Sequence, residues 1–542
     1  VTVPLATVHG LGAAAEELGV VLAAVLAAVV VLGRPPRVSD RVRALAAIGA
    51  VGLTPVLLVA DIWNTSQLHS LRHHPAIAAA AILLGGGIVA AVAVIMHRRP
   101  AAIPLLAVAA LPFRLPISSG GTTSNLLIPL YLVVGAGILA FAVPRLRAAD
   151  ARIDFDRRPD EDPVDAEATV EPVPAALEWL LMGFVVLYAV QSAYSGDFTK
   201  ALQQLVFFYV PFSLLFALLR RIRWNARLLV ACLGIVVVEA VVFTGIGFVE
   251  YSRRELLLNP KVVAANQYDN YFRVNSLFFD PSIYGRFLAL VMLCVTTVVL
   301  WSRRQRDVLV GGAVLLWLLG GLITSFSQSS IAALLLGLAV LAAWRWDVRR
   351  TLAVCLMVLA VGVAIVVFAP SSSHIGLSSS TSADSATSGR ATLVRHGLSL
   401  FADRPLQGFG PGSFPLEYRS HNHASTENAT SASHTIPITV AAEQGIVGLA
   451  VYIALVVAAF WRLFDGARAS PARIALAACF AALVVHTMTY ADFLEDPVTW
   501  TLLGIGSALA MSGVPTAAER YARRRERAAA ARPPDGAVGA AQ

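Results

Sequence analysis

The residues best suited to chemistry in this chain are arginines in unusual places. Arg114 lies in LPFRLP, Arg273 in NYFRVNSLF and Arg286 a few residues into the apolar run that follows. Arg390, Arg395, Arg404 and Arg419 sit in the long polar stretch between about residues 370 and 433. Guanidinium groups match phosphate oxygens and stay charged in a partly dry site. Several converging on one place would hold a diphosphate and stabilise charge as it leaves. The competing reading pairs them with Asp269, Asp280, Asp403 or Glu417, or with lipid headgroups.

His434 stands where the polar stretch meets the next apolar run, nine residues before Glu443. A histidine there is placed to take a proton from an acceptor hydroxyl. A glutamate inside an apolar run faces the bundle interior, where it can orient the histidine or bind sugar. Nine residues are too many for a one-turn contact on a straight helix, although Pro437 lies in the first turn and leaves direct contact open. His421 and His423 form with His434 only a weak metal pattern, and the reading is that no metal is bound. Asp492, Glu495 and Asp496 in YADFLEDP read first as a solvated acidic turn and second as ligands for sugar hydroxyls or a divalent ion. GFGPGSF (408–414) lacks the lysine and strand context of a nucleotide phosphate loop. Its glycines permit tight turns or close backbone approach.

These groups need a scaffold, and composition says which kind. Of 542 residues, 57% are hydrophobic and 14% charged, with a mean hydropathy of +0.70, which excludes an ordinary soluble domain. Apolar runs near the roughly 20 residues needed to cross a bilayer recur along the chain. They predict about fifteen helical spans, near 11–33, 43–62, 76–96, 101–117, 125–143, 175–195, 198–219, 227–249, 282–301, 308–326, 328–345, 351–369, 435–461, 472–490 and 497–513. The short runs at 101–117 and 328–345 are open to tilted, re-entrant or buried arrangements.

Arginine-rich connections at 34–43, 97–100, 145–158, 220–227, 301–307, 345–350 and 461–473 fall on one side if the spans alternate, as does RRRER (523–527). That side is expected to be cytoplasmic. The long polar stretch, residues 250–281 and the DFLEDP turn then face outward. The net charge of +8 matches anionic headgroups and calls for no nucleic acid. No cleavable signal peptide is evident ahead of the first run. Cys232, Cys294, Cys355 and Cys479 all lie in apolar runs and read as small core residues. Abundant Ala and Arg with only two Lys suggest a high-GC bacterial genome.

The expected organisation is a five-span N-terminal region (1–144), an acidic cytoplasmic linker (145–174), a central membrane region (175–369), an extracytoplasmic catalytic loop (370–433), a three-span C-terminal region (434–514) and a cytoplasmic tail (515–542). Within the loop, GRATLVRHGLSLFADRP has helical apolar spacing and predicts an amphipathic helix ending at Pro405.

In order and outward placement, NSLFFDPSIYGRFLAL (275–290), ITSFSQSSIAALLLG (323–337), GR…LQGFGPGSF (389–414) and HTIPITVAAEQGIVGLAVY (434–452) resemble the O-antigen ligase and polymerase superfamily, as does RLPISSGGTTSNLLIPLY (114–131). The resemblance covers roughly residues 100–510. It implies an all-α polytopic membrane protein with a GT-C-like helical bundle and a large extracytoplasmic loop. It implies inverting transfer of a glycan from a polyprenyl-diphosphate carrier to a hydroxyl on a glycan, glycolipid or glycoprotein acceptor, without nucleotide sugar or metal. On this resemblance His434 is the base or acceptor-orienting residue and Glu443 organises the acceptor side. Arg273 and Arg390 hold diphosphate, with Arg114 a weaker candidate. Thr435 replaces the family's usual Asn after the histidine, and Ser327, Gln328 and Ser329 replace its Ser-Arg-Gly. Arg395 or Arg404 would supply the missing cation. A polymerase extending lipid-linked repeats is the near alternative. A transporter is the distant one, which the outward arginines do not favour.

Overall fold

A computed structural model describes residues 5–34, 36–62, 75–119, 122–147, 173–258, 272–351, 390–422, 435–488, 490 and 492–512. The described residues form a helical bundle with one short hairpin. The N-terminal helices are α1 (Leu5–Leu32), α2 (Asp40–Ile62), α3 (Pro75–Arg98), α4 (Ala102–Ala110) and α5 (Ile128–Arg147). Antiparallel β1 (Leu115–Ser119) and β2 (Thr122–Leu126) lie between α4 and α5 and pair Leu115 with Leu126. Then follow α6 (Ala176–Gln191), α7 (Phe198–Gln204), a π turn (Leu205–Tyr209), α8 (Val210–Arg220), α9 (Ala226–Arg253), α10 (Pro281–Trp301), α11 (Gln305–Thr324) and α12 (Gln328–Arg345). The last five are α13 (Arg390–Asp403), α14 (Phe414–Asn422), α15 (Ile436–Phe464), α16 (Pro471–Thr487) and α17 (Pro497–Ser512).

Among the described residues, ten helices are long and apolar enough to cross a membrane. Their outward faces carry large apolar side chains, among them Leu83 and Trp461, each 75% exposed, as lipid contact requires. This is a multi-pass membrane protein. Of the fifteen expected spans, those at 76–96, 472–490 and 497–513 are the shorter apolar stretches Ile82–Arg98, Pro471–Thr487 and Pro497–Met511. The run at 101–117 is not a span: α4 has nine residues, about 14 Å of helix, and the chain then turns into the hairpin. The run at 351–369 lies outside the described residues beyond Thr351.

Helix ends follow their capping residues. Asp280 accepts from Ser282 N at 2.6 Å ahead of Pro281, and Asn225 accepts from Leu228 N at 2.9 Å. α1 and α2 pack on α6 and α8, sharing one core with α5 and α15. α9 to α12 and α16 enclose a second core, and α17 touches both. At the end of the bundle where the basic connections gather, Arg43, Arg145 and Arg221 surround the Phe141 ring, 5.7, 4.0 and 4.5 Å from its centroid. Arg221 donates to Val30 O at 2.8 Å, a carbonyl near the close of α1. Guanidinium groups there satisfy orphan carbonyls and oppose the helix dipole. The opposite end carries the site.

Candidate functional site

α15 is broken in its third turn. Gly445 has φ 64° and ψ −163°, a conformation essentially reserved for glycine. The break frees carbonyls that a straight helix would use internally, and the glycine loop takes them. Phe409 N donates to Ala442 O at 3.0 Å, Gly410 N to Glu443 O at 2.7 Å, and Ile446 N to Pro405 O at 2.8 Å. Gln191 of α6 donates to Gln444 O at 3.3 Å. Such irregular backbone at membrane depth is tolerated where protein satisfies it.

The glycines of LQGFGPGSF are explained by this contact. A Cβ on Gly408 would sit 2.3 Å from Glu443 O, and one on Gly410 would sit 2.3 Å from Ser195 Cα. The loop is thus wedged between α15 and the α6–α7 connection. Ser195 Oγ donates to Pro411 O at 2.7 Å, and Gly196 N donates to Phe409 O at 3.3 Å. Glu443 closes the joint: its carboxylate accepts from Phe414 N at 3.1 Å.

Behind the joint lies a polar cavity of about 80 Å³. Glu443, Gln444 and Tyr452 of α15 line it together with Lys200 and Gln204 of α7 and Glu495. Gln204 donates to Glu495 Oε1 at 2.7 Å and also meets the Tyr188 hydroxyl. The acidic turn is therefore not the solvated feature that its sequence suggests. Asp496 is buried, and Glu495 faces the cavity. Trp500 Nε1 donates to Leu494 O at 2.8 Å and fixes the turn on the start of α17.

Desolvation, followed by the negative charges of Asp492 and Glu443, pushes the Glu495 carboxyl up to about 8, against the opposing pull of Lys200. Glu495 is therefore largely protonated at neutral pH. Because its folded pKa lies above the ordinary 4.5, this group's stabilising contribution is full below about pH 4.5 and lost as pH rises through about 8. Thermal unfolding of the wild type is expected to drop in midpoint between pH 5 and 9. Glu495→Gln is expected to remove much of that slope and to be the more stable protein at pH 9.

The arginines divide into three groups. Arg114 and Arg286 line one small cleft beside Asp496. Arg286 lies 2.7 Å from Asp496, both nearly inaccessible, in a charge contact out of line with the N–H direction, and its Nη1 has no partner among the described residues. Arg114 stacks over Phe279 at 4.9 Å. Arg273 sits in a separate turn, where its Nε donates to Ser325 O at 3.2 Å in the α11–α12 connection. Arg395 and Arg404 are exposed on the α13 side, Arg404 lying 4.4 Å over Phe409, and neither lines the cavity or the cleft. Arg390 begins α13 as the sequence predicts, but its side chain lies outside the described residues, as do His434 and His423. Thr435, next after His434, donates to Met488 O at 3.1 Å and ties the start of α15 to the end of α16.

The Arg273 turn has an anchor that sequence reasoning missed. Glu250 is fully buried at the end of α9 and accepts from Ser276 N at 2.8 Å and from Leu257 N at 3.0 Å. Glu250→Ala orphans two amides, and a loss of about 2–3 kcal/mol is expected in thermal unfolding of the solubilised protein. Glu250→Gln, which keeps one acceptor oxygen, is expected to lose less. Lys200 was also missed, although it is one of two lysines in the chain and sits in SGDFTK, a polar break between apolar runs.

The fold and site together define a multi-pass helical membrane protein whose polar cavity and arginine-lined cleft lie at one end of the bundle. Residues 313–453, from within α11 to the middle of α15, match the O-antigen ligase family. That segment is similar to the O-antigen ligase family, in keeping with the superfamily that the chain's motifs resemble. No curated protein matches the chain. The matched segment contains the α11–α12 connection, the glycine loop and the broken helix, whereas Lys200, Arg273 and Glu495 come from outside it.

Proposed function

We propose that this protein is an O-antigen ligase-like inverting glycosyltransferase of the bacterial plasma membrane. It moves a glycan from a polyprenyl-diphosphate carrier to an acceptor hydroxyl at the extracytoplasmic face. The observation that carries this reading is the joint of the glycine loop with broken α15. It brings a segment matching the O-antigen ligase family against a polar cavity, at the end of the bundle that also holds the Arg114–Arg286 cleft and the Arg273 turn. Basic connections at the opposite end support an outward-facing site.

In this mechanism the acceptor oxygen attacks the anomeric carbon as the bond from that carbon to the diphosphate oxygen breaks, inverting the centre. His434 takes the hydroxyl proton, and the electron pair of the broken bond leaves on polyprenyl diphosphate. Arg273 and Arg390 hold that diphosphate, Arg114 assists, and Arg395 and Arg404 attract it from the loop. Glu443 supports the acceptor side by holding the glycine loop in place. A polymerase would use the same chemistry with a lipid-linked repeat as acceptor.

Reconstitution in vesicles with a labelled polyprenyl-diphosphate glycan and cell-envelope acceptor fractions tests this. Transfer by wild type, lost in His434→Ala and Arg273→Ala, is expected. Unchanged transfer by both variants would overturn the assigned roles. Release or movement of the intact carrier without a new glycosidic bond would overturn the enzyme itself. The partner attached at the reducing end of the product separates ligase from polymerase.

A further inference from the structure

The cavity behind the glycine loop has a hydrogen-bonding inventory that does not balance. Tyr452 Oη and Gln444 Oε1 are buried at 2% and 1% residue exposure, line the cavity, and have no partner among the described residues. A buried polar atom without a partner costs about 1–3 kcal/mol, so two beside one cavity call for an occupant. Glu443, Glu495 and Asp492 add further acceptor oxygens to the lining.

Charge narrows what the occupant is. Lys200 stands among these carboxyl groups, so an entering metal cation would meet a basic side chain already in place. The carboxyl groups disfavour an anion. A neutral ligand that both donates and accepts suits the inventory, and Phe184 and Phe493 give it apolar walls. The cavity of about 80 Å³ is several times the roughly 10–15 Å³ that one water needs on the same measure, so it holds more than one water-sized group. That is enough for a polar side arm of a larger ligand. The cavity also runs from Glu443 back to Ile436, about 10 Å of helix that ends two residues from His434.

We infer that this cavity is a specificity subsite that takes the hydroxymethyl arm of a hexose unit of the glycan, with Tyr452 and Gln444 bonding its hydroxyl. The inference rests on the proposed glycosyl transfer for its biological meaning, but it is read by binding alone. Tyr452 then determines which sugar is accepted, not whether the transfer chemistry proceeds.

The test is saturation-transfer NMR on the full solubilised chain without donor. The probes are the methyl glycosides of glucose, galactose and mannose, each beside its 6-deoxy counterpart of the same configuration. At least one hexoside is expected to bind with strongest saturation at its C6 protons. Its 6-deoxy partner, and the same hexoside on Tyr452→Phe, are expected to bind about 10-fold more weakly. Tyr452→Phe keeps the ring packed against Phe493, so its melting temperature serves as the folding control. Equal binding of the 6-deoxy sugars, unchanged binding by Tyr452→Phe, or no hexoside binding at all would overturn the subsite. A more stable Tyr452→Phe protein with no sugar signal would identify a water-filled structural cavity, and would overturn it too. Sugar discrimination without glycosyl transfer would defeat the proposed reaction and leave the subsite standing. Transfer without discrimination would do the reverse.

Discussion

Gly445→Ala is expected to lower the proposed glycosyl transfer by more than about 100-fold while leaving a protein that still inserts in the membrane. Two costs act at one atom. The backbone at φ 64° and ψ −163° is strained for any side chain, worth about 1–3 kcal/mol. The new Cβ would also lie 2.4 Å from Leu406 O, and a backbone carbonyl cannot turn aside as a side chain can. The helix can escape by straightening, but it then reclaims the carbonyls of Ala442 and Glu443 that hold Phe409 and Gly410. The glycine loop would separate from α15, and the amide of Phe414 would lose Glu443. Displacement of a positioning loop by about 1 Å is enough for a 100-fold loss. Transfer assays beside thermal unfolding check this, and Gly448→Ala is not a substitute, because Gly448 lies in the regular part of the helix. Normal transfer by Gly445→Ala would mean that the broken helix is not needed for chemistry.

That coupling explains what the sequence could convey about this region. The glycines at 408, 410 and 412 announced close approach, and the helix after Gly389 and the stop at Pro405 followed from apolar spacing. What they approach was not legible. A glycine in AEQGIVG reads as an ordinary small residue of a membrane helix, and only the pairing with residues 405–410 identifies it as a break. The alternation of apolar runs located most helices, because lipid imposes length and hydrophobicity directly. It overcounted at 101–117, where an apolar run folds against other helices instead of crossing.

The site residues were legible in proportion to how far their chemistry is local. An arginine away from the basic connections draws attention through its charge alone. Gln204, Glu250 and Tyr452 draw none, because their partners lie far along the chain: Gln204 meets Glu495 across 291 positions. The acidic turn was misread for the same reason. Three acids in five residues, Asp492, Glu495 and Asp496, suggest solvent until one of them finds a buried arginine 210 positions earlier.

Arg286→Ala is the second large effect, and it separates that pair's role from those of the other arginines. Arg286 and Asp496 are 3% and 5% exposed, so removing one partner strands the other charge in a dry site. Such a break costs about 3–5 kcal/mol, whereas replacing both charges with apolar groups of similar size is often near neutral. Arg286→Leu with Asp496→Leu is therefore expected to recover most of the stability lost by either single change, with a coupling of about 2–3 kcal/mol. Transfer is expected to behave differently. Arg286 lines the cleft beside Arg114, and its Nη1 has no partner among the described residues. If that donor meets a diphosphate oxygen, the double variant is stable but remains at least about 10-fold slower, since a charge-assisted hydrogen bond contributes about 1.5–3 kcal/mol. If stability and transfer recover together, the pair only fastens α17 to α10, and the proposed diphosphate binding is left to Arg273 and Arg390.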